Sequence, residues 1–136
     1  MRLFLPISLA LATANAFNIT QRAADDVTEC EGKGQVAYQD AFSIAQAFAA
    51  SSPGTSWESG VPFRSRNAQA VYLNQGFGAT IGTETLGDII FDILQSCWTQ
   101  QAQNKNLPGA GFQNILSGTQ TVGVVCLSAN GVGCPF

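Results

Sequence analysis

Glu84, Asp88 and Asp92 stand four residues apart in a chain that contains no histidine. Without histidine, neither a Ser-His-Asp nor a Cys-His nucleophile can be assembled, and a histidine acid–base pair is excluded. Chemistry therefore falls to the carboxylates. On a helix the three acids form one ridge, and those near its start are favoured by the helix dipole by about 0.3–1 kcal/mol each. A glycosidase needs two carboxyls facing each other across a cleft of about 5–10 Å, one with a raised pKa. A single ridge does not supply that, so a small carboxylate-dependent hydrolase would need Asp40 or Glu58 from another element opposite Glu84 or Asp88. No Asp-x-Asp spacing offers a Ca²⁺ loop. Gly76-Phe77-Gly78 followed by Gly82 lacks the lysine of a phosphate loop and the spacing of a dinucleotide fingerprint, and reads as a connector. No cofactor or metal is expected.

Aromatic residues suggest binding instead. Phe91 and Trp98, seven apart, fall on a helix flank beside Leu94, off the axis of the apolar stripe. Either they pack on the alanine ridge (Ala41, Ala45 and Ala49) of the helix expected over 35–51 or they form an exposed apolar patch for a partner. Trp57 and Phe63, close in sequence to Arg64 and Arg66, make a second candidate contact surface, because aromatic rings with arginine are the composition of interface hot spots.

These residues need elements to hold them. Leu86, Ile89, Ile90, Ile93, Leu94 and Cys97 recur at the helical period, so the sequence predicts an amphipathic helix over 83–98 with Cys97 on its buried stripe. Thr85 with Asp88 three residues on resembles a capping box. A second helix is expected over 35–51, with Ala41, Ala45 and Ala49 as a small-residue ridge bracketed by Phe42 and Phe48, ended by Ser51-Ser52-Pro53-Gly54. Residues 55–66 fit a short or edge strand, and 69–75 a strand with Val71 and Leu73 on one face. Residues 100–108 are polar and end in a Pro-Gly turn. The tail reads as a hairpin, 111–116 and 119–128 about Ser117-Gly118, with Val122, Val124 and Cys126 sharing a face. Two helices on one face of a small antiparallel sheet bury these stripes economically, giving an α+β class.

Residues 1–16 read as a signal peptide: Arg2, an apolar run too short to span a bilayer, then Ala14-Asn15-Ala16. Residues 17–29 are polar, a flexible leader or a short pro-segment ending near Arg22, with a glycosylation sequon at Asn18. Residues 30–136 form the single domain. Removing the first sixteen residues takes away Arg2 and no acid, leaving 5 basic against 9 acidic residues and a net charge of −4. Such a chain has no electrostatic route to nucleic acid or anionic lipid. Four cysteines in a secretory chain imply two disulfides with three available connectivities. Cys30 and Cys134 lie near the domain's ends, and Cys97 and Cys126 on apolar runs, so a nested pairing Cys30–Cys134 and Cys97–Cys126 is expected.

The leader ending Ala14-Asn15-Ala16, the segment around Arg22, a first cysteine soon after and a domain of about one hundred residues resemble the small secreted cysteine-containing, effector-like proteins of filamentous fungi. More loosely, helix, strand, helix and hairpin with Cys97 closing the stretch from Ile89 look like the α/β-sandwich killer toxins and the necrosis-inducing effectors related to them. The resemblance implies a secreted, non-enzymatic protein directed at a host or competitor. Its expected partner is a protein or glycan, met by a monomer with no membrane span. The rival readings are the small hydrolase and a wall-associated structural protein.

Overall fold

The computed structural model describes residues 28–30 and 34–132. The signal segment, Asn18, Arg22 and Cys134 lie outside them. In chain order the elements are β1 (Thr28–Glu29), β2 (Val36–Ala37), α1 (Tyr38–Ala49), β3 (Ser56–Glu58), β4 (Phe63–Ser65), β5 (Ala68–Asn74), β6 (Thr80–Gly82), α2 (Thr83–Cys97), α3 (Gln100–Asn104), β7 (Pro108–Gly109), β8 (Gly111–Ser117) and β9 (Gln120–Ala129). Five strands form an antiparallel sheet in the order β1-β8-β9-β5-β4, and two small antiparallel pairs, β2–β7 and β3–β6, flank it. The class is α+β, as expected. A third helix, α3, is added where a polar connector was expected, because the Thr99 hydroxyl caps it by accepting from the Ala102 amide at 3.1 Å.

Helix α1 buries Ala41, Ile44, Ala45 and Phe48, and α2 buries Leu86, Ile89, Ile90, Ile93 and Leu94; both sets follow the helical period. They share one core with Ala68, Ala70 and Tyr72 of β5, Ile115 of β8, and Val125 and Leu127 of β9. Both long helices thus cover the same face of the sheet. On β5 the expected face is inverted: Ala68, Ala70 and Tyr72, not Val71 and Leu73, lie under the helices. Small Ala68 and Ala70 let α1 approach closely, and Tyr72 satisfies its hydroxyl by donating to the Gly78 carbonyl at 2.7 Å. Val124 and Cys126 also point away from the helices, into a separate cluster with Phe112. Strand β9 is buried on both faces from Gly123 to Ser128, so its alternation contains two apolar sets rather than one.

Helix α2 starts two residues before the expected cap. The β3–β6 ladder runs through Ser56 and Gly82 and delivers the chain straight into the helix, whose N-cap is Gly82 without a side-chain bond. Thr83 is anchored instead to Thr55, its amide donating to the Thr55 carbonyl at 3.0 Å.

The disulfide observed among the described residues is Cys30–Cys97, a loop of 67 residues. It overturns the expected Cys30–Cys134 and Cys97–Cys126 pairs. Pairing follows the tertiary structure: β1 runs antiparallel to β8 directly under the end of α2, which brings Cys30 to Cys97. A Cβ on Gly111 would sit 2.6 Å from the Cys97 sulfur and 2.9 Å from the Glu29 carbonyl, so only glycine fits where the bridge crosses β8. The end of the expected leader, Thr28–Glu29, is therefore a sheet strand, with the Thr28 hydroxyl donating to Gln113 at 2.8 Å. Cys126 is disulfide-bonded as well, and no described cysteine is free. Among the described residues no helix is long and apolar enough to cross a membrane.

Candidate functional site

Along α2, Glu84, Gly87, Asp88 and Phe91 follow one another at steps of three, one and three, forming a stripe beside the buried one. This stripe faces the alanine ridge of α1. Between them lies an open groove of about 350 Å³, with Ala45, Phe48 and Ala49 on the α1 side and Glu84, Asp88 and Phe91 on the α2 side. Gly87 sets its depth. A Cβ there would lie 3.1 Å from the Cβ of Phe48, so the absence of a side chain brings the helices together and makes Phe48 the floor. Phe91 is 47% exposed, the most exposed large apolar side chain among the described residues.

The two candidate surfaces are rearranged. Trp98 does not join Phe91: it is 1% exposed. The helix ends at Cys97, and Trp98 has an extended backbone (φ −123°, ψ 109°), which turns its ring into the core instead of along the helical flank. Its indole N–H donates to the Leu107 carbonyl at 2.9 Å, and its ring lies where any Cβ on Gly109 would be 2.6 Å away. Trp57 and Phe63 are brought together, but as half-buried supports. Their rings lie 5.2 Å apart and 6.1 and 4.4 Å from that of Phe48, and the Trp57 indole donates to the Val61 carbonyl. They hold the groove floor in place.

The arginines do not complete a hot spot with these rings. Phe63 faces the helices, so Arg64, its neighbour on β4, faces the other way and donates to Gln69 at 3.4 Å. Arg66, in the turn after β4, has a left-handed backbone (φ 56°) and pairs with Asp40 at 3.6 Å. Asn67 also donates to Asp40, at 3.1 Å.

That pairing bears on acid–base chemistry too. Asp40 is engaged on α1 with Arg66 and Asn67, and Glu58 stands exposed on β3; neither lines the groove. Its two acids come from the same helix, so carboxyls from different elements are not set across a cleft there. Among the described residues no cluster of three or more Cys, Asp or Glu is arranged to hold a metal ion. The arrangement can take up a side chain with an apolar stem, hold it against a ring, and meet a polar end with carboxylates. The sequence shows the acids, Phe91 and the alanine ridge, but neither the role of Gly87 nor the groove. Its signal was a glycine inside an amphipathic helix, flanked on one face by two acids and a phenylalanine.

Fold and groove define a small disulfide-bonded α+β domain with a concave seam between its two long helices. No protein-family model matches the chain, and no curated protein matches it in sequence.

Proposed function

We propose that this chain is a secreted, effector-like protein that acts by binding a host or competitor molecule, not by catalysis, and that its contact surface is the α1–α2 groove around Phe91. The observation that carries the reading is the ring of Phe91, left 47% exposed on the wall of a groove between the two long helices. Exposing a phenylalanine costs the burial free energy it would otherwise gain, about 1.5–3 kcal/mol, and interface anchors are commonly rings that find their burial in a partner. The Cys30–Cys97 bridge is compatible with life outside the cell, where disulfides persist.

The test is saturable binding of labelled protein to panels of intact plant, yeast and bacterial cells, comparing the native chain with Phe91→Ala and with Val61→Ala. Val61 is another exposed apolar residue, at 40%, and serves as the control. Loss of binding with Phe91→Ala alone supports the reading. Unchanged binding with Phe91→Ala, or equal loss with both, removes the groove as the contact surface.

A further inference from the structure

The groove has a charge pattern as well as a shape. Among its described lining residues two are acidic and none is basic. Glu84 and Asp88 are one helical turn apart, which places their Cβ atoms about 5–6 Å from each other on the same face. Across from them lie Ala45, Phe48 and Ala49 of α1, and beside them the exposed Phe91 ring. A carboxylate rim over an apolar floor next to an aromatic face suits a cation on a long apolar stem.

We infer that the groove accepts an arginine side chain of a protein partner, its methylene stem along the alanine ridge beside Phe91, its guanidinium against Glu84 and Asp88. This rests on the groove being the contact surface. Arginine fits better than the alternatives for four reasons. Its planar fork of five donors can span two carboxylates a turn apart, whereas a lysine ammonium is a point charge that engages one at a time. Its plane also stacks on an aromatic face, a contribution of about 0.5–1 kcal/mol at exposed sites. An anion is disfavoured: although α2 begins at Thr83 and a helix N-terminus attracts negative charge, Glu84 and Asp88 already occupy that region with their own. A wholly apolar occupant would strip water from both carboxylates without replacing it.

Neither acid has to be otherwise unengaged, since a carboxylate offers about four acceptor positions. The chain as a whole, with 9 acidic against 6 basic residues, also draws a basic partner from a distance.

The test titrates the ¹⁵N-labelled full chain with three capped tripeptides, Gly-Xaa-Gly, in which the central residue is arginine, citrulline or norleucine. Citrulline keeps the shape of arginine and removes its charge. The arginine peptide is expected to shift the amide resonances of Ala49, Gly87 and Phe91 saturably, at least tenfold more tightly than the citrulline peptide. Glu84→Gln should weaken arginine binding several-fold with unchanged spectral dispersion, and added salt should weaken it further. Equal binding of the citrulline or norleucine peptide overturns the arginine and leaves the groove as a contact surface. No shift at these amides with any peptide overturns the arginine and the groove together. Concentration-dependent shifts of the same amides without peptide would mean that a second copy fills the groove, and would also overturn the arginine.

Discussion

Gly87 and Phe48 meet so closely that a Cβ on Gly87 would lie 3.1 Å from the Cβ of Phe48. That atom cannot rotate away, because it is fixed by the α1 backbone, and its ring is held by Trp57 and Phe63. In an open helix Gly→Ala gains about 1 kcal/mol. Here the overpacking, typically about 1–3 kcal/mol, exceeds the gain. Gly87→Ala should lower stability by about 1 kcal/mol, read as a lower urea midpoint with an unchanged slope. A more stable Gly87→Ala protein would mean that the helices separate freely and that the groove floor is not fixed.

The covalent link between α2 and β1 is the second firm constraint. Closing a loop of 67 residues restricts the unfolded chain by about 4 kcal/mol in the loop-entropy account. The double substitution Cys30→Ser, Cys97→Ser should therefore lose several kcal/mol in urea unfolding, a large part of the stability of a domain this size. Peptide mapping without reduction should recover Cys30 with Cys97 and Cys126 with Cys134. A peptide joining Cys30 to Cys134 contradicts the fold described here.

Tyr72 gives the protein an alkaline limit. Burial raises its phenol pKa above the ordinary value of 10.0, because the phenolate would sit in the core. The neutral form is thus favoured by folding. Its contribution is fully present below pH 10 and is lost as pH rises through the folded-state pKa. Unfolding measured from pH 8 upward should show stability falling above about pH 10, and Tyr72→Phe should flatten that fall. The same substitution should cost about 1 kcal/mol at neutral pH through the lost bond to the Gly78 carbonyl. An unchanged alkaline slope in Tyr72→Phe would assign the fall to another group.

Both long helices were legible because their apolar residues keep the 3.6 period over three turns or more, and the hairpin because Ser117-Gly118 separates two apolar runs. The faces of the strands were not. Period-two alternation divides β5 into Ala68, Ala70, Tyr72 and Gln69, Val71, Leu73, and hydrophobicity favours the second set; only helix packing selects the first. Trp98 was misplaced because a helical wheel holds only to the last helical residue, and the backbone leaves the helix at Cys97. Strand β1, two residues long, has no period to detect. Of the candidate site, Phe91, the acid ridge and the packing of Phe91 on the alanine ridge were visible, but the groove itself depends on how α1 crosses α2 at Gly87. Spacing within one helix does not encode that crossing.

If the groove is the contact surface, partners meet this protein at Phe91. Replacing Phe91 with the photoreactive analogue p-benzoylphenylalanine keeps an aromatic ring on the groove wall and records what touches it. Leu107, 42% exposed and outside the groove lining, is the control position. Irradiation on cells that bind the protein should give a discrete adduct of one mass from position 91 and none from position 107. Adducts from position 107 alone, or from neither while saturable binding persists, would contradict the account.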